Sequence, residues 1–260
     1  MTALAIGLDA GSTTTKLVAV DAAGERLWHV LEDTDPRMEV QAARLIAAAR
    51  ARAGDPAVAV VATGYGRHLV RDATRQVTEI TCHARGVFRT VGHGGTLIDI
   101  GGQDAKVIVI GAAGEVVSFT MNDKCAAGTG RFLEVVAGRL RVGLGELAEL
   151  AIAAPGEVAI SSTCTVFAES EMISRLAHGE PLDAIVRGLN RALVRRIATM
   201  ARSNGLVAPL MLSGGVALSE AMRRLLSEEL GHPVEVPAAP QLMGAYGAAL
   251  TALGRGGRAG

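Results

Sequence analysis

Aromatic residues make up only 3% of this 260-residue sequence, with one Trp, two Tyr and four Phe. Single-stranded nucleic acid is gripped by stacked rings, so that ligand is not expected, and the core must rest on Ala, Val, Leu and Ile. Net charge is lacking too: 26 Lys and Arg balance 26 Asp and Glu. Composition therefore points neither to nucleic acid nor to an anionic membrane. No basic stretch leads into an apolar run at the start, and Asp9 interrupts the first apolar segment. Neither a signal peptide nor a membrane span is expected, which suggests a cytoplasmic protein. The three cysteines, Cys82, Cys125 and Cys164, are odd in number and suit no disulfide framework; a metal site or plain buried thiols remain open. The relevant glycine turns match neither GxxxxGK[ST] nor GxGxxG, so this is neither a Walker loop nor a dinucleotide fingerprint.

What is present is a real core, with 49% hydrophobic and 20% charged residues, enough chain for one large domain or two small ones. Residues 4–21 read as strand, polar turn, strand. A helical stretch follows over Met38–Arg52, and Ala57–Ala62 reads as a buried strand. Residues 96–110 again read as strand, polar turn, strand. Laid over the first with an offset of 90 residues, this second hairpin needs no gap. Asp9 falls on Asp99, Gly11 on Gly101, Lys16 on Lys106 and Ala22-Ala23-Gly24-Glu25 on Ala112-Ala113-Gly114-Glu115. The chain is expected to consist of two related halves, each opening with the same hairpin. Helical patterns follow over Arg131–Arg139, Val166–His178 and Leu182–Ser203. The last carries Ile185, Leu189, Leu193 and Ile197 on one face, with Arg187, Arg191, Arg195 and Arg196 expected on a solvated face. A short strand, Leu210–Leu212, enters a Gly-Gly turn, and a small-residue helix covers Ala245–Leu253.

The turn Asp9-Ala10-Gly11-Ser12-Thr13-Thr14-Thr15-Lys16 suits a phosphate. Gly11 admits close backbone approach, Ser12, Thr13 and Thr14 offer neutral donors, and Lys16 adds charge. Asp9 can face phosphate only across a cation, so it implies Mg²⁺, held through water. The duplicate, Asp99-Ile100-Gly101-Gly102-Gln103-Asp104, repeats the arrangement, and two such hairpins would clamp a polyphosphate and its metal from both sides. Gln103 and Asp104 are candidates for orienting the attacking water. A third glycine turn, Ser213-Gly214-Gly215-Val216, can lie flat against adenine or ribose; Gln241, just ahead of the small-residue helix, joins the nucleotide set.

Cys125 stands in Asn122-Asp123-Lys124-Cys125-Ala126-Ala127-Gly128-Thr129-Gly130, and Cys164 in Ser161-Ser162-Thr163-Cys164-Thr165. Each precedes an expected helix, whose partial positive charge favours a thiolate or an anionic cluster. No CxxC occurs, so one chain is no conventional zinc or ferredoxin site. Two ligands per chain make four in a symmetric dimer. On residue chemistry alone, two buried thiols remain the competing reading. Cys82 matches no ligand spacing and is expected buried. Gly128, Thr129, Gly130 and Glu134 are candidates for touching the nucleotide as well as supporting Cys125.

The order hairpin, hairpin, Gly-Gly turn, small-residue helix resembles the actin-like ATPase superfamily of acetate and sugar kinases, heat-shock chaperones and actin. That resemblance implies an α/β fold of two duplicated ribonuclease H-like domains with ATP in a cleft. The expected boundaries are 1–93, 94–240 and a C-terminal helix, 241–260, returning to the first domain. More narrowly, IGLDAGSTTTK, DIGGQDAK, NDKCAAGTGRFLE, SSTCTVFAESEMISRLAHGE and SGGVA resemble the activator (component A) of 2-hydroxyacyl-CoA dehydratases and the related ATPase subunits of benzoyl-CoA reductase. The resemblance implies a homodimer with one 4Fe-4S cluster between its subunits, ligated by Cys125 and Cys164. ATP hydrolysis would drive a low-potential electron from a reduced ferredoxin or flavodoxin to a partner dehydratase or reductase. A small-molecule kinase of the same fold is the alternative of another class.

Overall fold

The computed structural model describes residues 4–161 and 164–254. Their contacts divide the chain into two compact units: 1–94 with 110–117 and 237–260, and 95–109 with 118–236.

The first unit holds strands β1 (Ala5–Ala10), β2 (Thr14–Val20), β3 (Arg26–Asp33), β4 (Ala59–Thr63) and β5 (Arg75–Gln76) in the order β3-β2-β1-β4-β5. β1 pairs antiparallel with β2 and parallel with β4. Every residue of β1 is buried, as a central strand covered on both faces requires. Helix α1 (Met38–Ala53) turns Leu45 and Ile46 into a core with Ile6, Leu8, Leu17 and Val60. Helix α2 (Glu79–Val91) starts at Thr78, whose hydroxyl accepts from Thr81 N, and stops at Gly92. Helix α8 (Met243–Ala252) packs backbone against backbone. A methyl group on Gly7 of β1 would lie 2.0 Å from Ala245 O, and one on Gly247 would lie 1.8 Å from Cys82 O of α2. The small residues of α8 thus allow one helix to touch both a strand and a helix at contact distance, a job side chains would prevent.

The second unit holds β6 (Gly95–Ile100), β7 (Ala105–Ile110), β8 (Val116–Asn122), β9 (Leu210–Ser213) and β10 (Val234–Glu235), in the order β10-β9-β6-β7-β8. Read from the opposite edge, this is the strand order of the first unit. β1 and β6 begin and end 90 residues apart, so the sequence repeat is also a repeat of structure. Helices α3 (Gly130–Leu140), α4 (Leu144–Ala153), α5 (Thr165–Ala177), α6 (Leu182–Ser203) and α7 (Glu220–Leu230) complete the unit. Ile185, Leu189, Leu193 and Ile197 of α6 are buried with Ile98, Val107, Leu212 and Leu225. Of the four arginines expected on a solvated face of α6, Arg195 and Arg196 are exposed, whereas Arg187 and Arg191 are partly buried. Arg191 donates to Glu157 at 3.0 Å and to Glu228 at 2.5 Å with its side chain 12% exposed, and Arg187 and Arg195 reach the same two carboxylates. Among the described residues no helix is long and apolar enough to cross a membrane.

Candidate functional site

The first hairpin places its polar residues at the carboxyl end of β1, next to the parallel strand β4. Asp9 is 5% exposed, and its Oδ2 lies 3.4 Å from Lys16 Nζ. Asp9 and Lys16 are direct partners in the β1–β2 register, so the pair is set by the ladder itself. The turn between the strands is tied from below. Thr34 Oγ1 donates to Gly11 O at 2.8 Å, and Thr15 Oγ1 donates to Gln41 Oε1 at 3.1 Å. Ser12, Thr13 and Thr14 remain partly exposed on the same turn. Asp9 is walled in by glycines: a methyl group on Gly64 would meet its Oδ1 at 2.3 Å, and one on Gly244 would meet its Oδ2 at 3.0 Å and His83 Nε2 at 2.7 Å. Gln241 is half-buried in the single turn Pro240–Leu242 that leads into α8.

The second hairpin repeats the ion pair and buries it further. Lys106 Nζ lies 3.3 Å from Asp99 Oδ2 and 2.8 Å from Asp104 Oδ2, and the Lys106 and Asp99 side chains are each 2% exposed. Ser213 Oγ donates to Asp99 Oδ1 at 2.7 Å, joining the Gly-Gly turn to the hairpin. Gly214 holds φ 84°, and a side chain there would sit 2.3 Å from Ile100 O. Only glycine lets that turn close on β6. Gly215 is exposed and Val216 buried, while Gln103 projects from the hairpin turn and Gly101 and Gly102 are half-buried.

The same turn is bonded to the segment that carries Cys125. Gly130 N donates to Gly101 O and Arg131 N to Gly102 O, both at 2.8 Å. Thr129, fully buried, caps nothing with its side chain but donates to Ala126 O at 2.7 Å. Gly128 holds φ 90°. Asn122 Nδ2 donates to Cys125 O at 2.9 Å and Ala127 O at 3.1 Å, fixing the loop from its other end. Glu134 is paired with Arg131 at 3.1 Å.

The three cysteines are free and differ in setting. Cys164 is exposed and forms the N-cap of α5. Cys125 is half-buried and precedes α3 by the loop Cys125–Thr129, with the helix starting at Gly130, one residue before the expected Arg131. Cys82 belongs to the other unit, is fully buried on α2, and has its thiol pushed up to about 11, chiefly by burial. Among the described residues no three His, Cys, Asp or Glu side chains gather into a metal-binding group.

The model of the BadF/BadG/BcrA/BcrD ATPase family matches residues 6–252. This chain belongs to that family. It is 40% identical over 258 residues to the (R)-2-hydroxyglutaryl-CoA dehydratase activating ATPase of Acidaminococcus fermentans, covering 97% of this chain and 98% of the relative. The solved activator of the 2-hydroxyisocaproyl-CoA dehydratase from Clostridium difficile, with bound ADPNP, superposes with a TM-score of 0.87 at 39% identity, over 96% of this chain and 94% of that one. A glucokinase of the ROK family from Streptomyces griseus, at 18% identity and a TM-score of 0.61 over 95% and 98% of the two chains, shares the fold alone. The fold of this family member is therefore the actin-like α/β fold, with the doubled sheet order described above.

Reading the sequence missed several residues that pack on the two aspartates. Lys106 was visible as the counterpart of Lys16, but its burial was not. Ser213 lay in a recognised turn, yet nothing local marked it as a donor to Asp99. Gly64 and Gly66 flank Tyr65 directly after β4, a glycine pattern at a strand end that could have drawn attention.

Proposed function

We propose that this chain is an ATP-hydrolysing electron-transfer activator that delivers a low-potential electron to a 2-hydroxyacyl-CoA dehydratase. In this reading Asp9 and Asp99 hold a hydrated Mg²⁺, and Lys16 with Gly11, Ser12, Thr13 and Thr14 holds phosphates. Gly101 and Gly102 bring main-chain atoms to the phosphates, and Gln103 or Asp104 orients water. Gly214, Gly215, Val216 and Gln241 receive the adenosine. Phosphoryl transfer asks little covalent chemistry of a protein; placement and charge neutralisation do most of the work. The Asp–Lys pairs on both hairpins are preformed, which suits that requirement.

The residues present fit an iron–sulfur cluster shared by two copies of the chain. A cubane takes four thiolates. Cys82 is buried in the other unit with a poorly ionising thiol, so one chain has only Cys125 and Cys164 to offer, and two copies supply four. When bound, the cluster supplies a one-electron carrier of low potential, filled by a reduced ferredoxin or flavodoxin. The exposed position of Cys164 favours a ligand at a subunit surface.

The observation that carries this reading is the pair of main-chain bonds from Gly130 and Arg131 to Gly101 and Gly102. Loss or movement of a terminal phosphate at the Asp99–Asp104 turn would be transmitted through two short bonds to the segment bearing Cys125. Gly128, Thr129 and Gly130, with Glu134 one turn on, thus form the relay between nucleotide and cluster. The test is reconstitution: anaerobic protein with Mg-ATP and a reduced flavodoxin-type donor should activate a 2-hydroxyacyl-CoA dehydratase component. ADP in place of ATP, or Cys164→Ser, should give none. Equal activation with ADP would remove the hydrolytic step from the account.

A further inference from the structure

Mg-ATP stays anionic after its metal has bound, yet the hairpin of the first unit brings no net charge to it, because Asp9 neutralises Lys16 at 3.4 Å. Phosphate is bound more firmly where a cation stands beside it, and the loop after β4, in the same unit as Asp9, carries one.

That loop, Gly64–Leu69, is pressed against the Asp9 end of β1. Gly66 N donates to Ala10 O at 2.8 Å. A methyl group on Gly64 would lie 2.3 Å from Asp9 Oδ1 and 2.8 Å from Ala10 O, so glycine at 64 is needed for the approach. Arg67 is half-buried, and its Nη1 donates to Gly64 O at 3.1 Å. Its guanidinium therefore rests on the carbonyl of the residue that touches Asp9. Among the described residues no carboxylate pairs with Arg67, whereas Arg37, Arg44, Arg71 and Arg89 of the same unit each have one, and Arg26, Arg50 and Arg52 rest on a backbone carbonyl or an aromatic ring. The location is the carboxyl end of two neighbouring parallel strands, β1 and β4, where open α/β sheets take their ligands.

We propose that the Gly64–Leu69 loop is a further phosphate-binding element and that Arg67 is its charged group, meeting the terminal phosphate of the nucleotide. Asp9 with Lys16 sets the metal and the inner phosphates, while Arg67, whose guanidinium is held by one backbone carbonyl among the described residues, turns its remaining donors to a γ-phosphoryl oxygen. Arg67 then distinguishes triphosphate from diphosphate. This rests on the ATPase reading above, and the test separates the two.

The experiment measures affinity of the full chain for a non-hydrolysable ATP analogue and for ADP, each with Mg²⁺, in the parent protein, Arg67→Gln and Arg67→Lys. Binding of either nucleotide by the parent tests the ATPase reading alone. For Arg67 the expected result is an affinity for the ATP analogue reduced about tenfold to a hundredfold in Arg67→Gln, the worth of a charge-assisted contact. ADP binding should change by less than about threefold on the same scale, and Arg67→Lys should recover part of the loss. Equal loss for both nucleotides, or no loss for either in a variant that melts with the parent, overturns the assignment.

Discussion

Replacing Lys106 with methionine tests how differently the two copies of the hairpin have come to be used. The Lys106 and Asp99 side chains are each 2% exposed, so removing the ammonium leaves a carboxylate in the interior without its cation. Breaking a buried pair from one side costs roughly 3–5 kcal/mol. Two features place this case at the lower end. Asp104 is 22% exposed and can turn to water, and Ser213 still donates to Asp99 at 2.7 Å. A loss of about 3 kcal/mol corresponds to a fall in Tm of about 6–12 °C for a chain of this size. Lys16→Met should cost less than Lys106→Met, because the Lys16 side chain is 15% exposed against 2% for Lys106 and can be replaced there by water. Thermal unfolding without nucleotide, followed by fluorescence and circular dichroism so that separate transitions of the two units show, reads both values. Adding Asp99→Asn to Lys106→Met should restore about 0.5–3 kcal/mol, since the orphaned charge is then gone. A Lys106→Met variant that melts with the parent, or no lower than Lys16→Met, would refute the claim that the second pair is a buried structural clamp.

Gly247→Ala should destabilise the first unit by roughly 1–3 kcal/mol through overpacking, since its methyl group would lie 1.8 Å from Cys82 O; chemical denaturation reads the change, and a neutral result would contradict the α2–α8 packing. Cluster-free native protein treated with an alkylating reagent at pH 8 should lose Cys164 first and keep Cys82, whose buried thiol has been pushed up to about 11; mass spectrometry of the digested product identifies the labelled site. Glu220, held down to about 2 by its bonds to Arg223 and Arg224, adds stability that is fully present above its ordinary 4.5 and disappears as pH falls toward 2. The group is largely exposed, so Glu220→Ala should cost only about 0.5–1 kcal/mol at pH 7, and the difference from the parent should vanish at pH 2.

Much of the fold could be read from local pattern. The 90-residue repeat of Asp, Gly and Lys located β1, β2, β6 and β7, because a buried hairpin with a polar turn constrains every position along it. Helix α6 was found at Leu182–Ser203 from its apolar spacing alone. Helix α2 escaped, although Thr78 and Gly92 are ordinary start and stop residues. Arg195 and Arg196 of α6 are exposed as expected, but the partial burial of Arg187 and Arg191 was not legible, because Glu157 and Glu228 arrive from elements more than thirty residues away, which no local window contains. For the candidate site, sequence supplied the aspartates and cysteines but not the Ser213–Asp99 bond, the burial of Lys106 or the seat of Arg67, all of which depend on how β4 and β9 lie beside their central strands.

The central claim, that two copies of this ATPase share one cluster through Cys125 and Cys164, is tested most directly by iron and sulfide analysis of anaerobically purified protein together with its mass in solution. The account predicts a dimer with about four irons, none in Cys125→Ser or Cys164→Ser, and an unchanged content in Cys82→Ser. An iron-loaded monomer, or full iron in the Cys164→Ser variant, would contradict it.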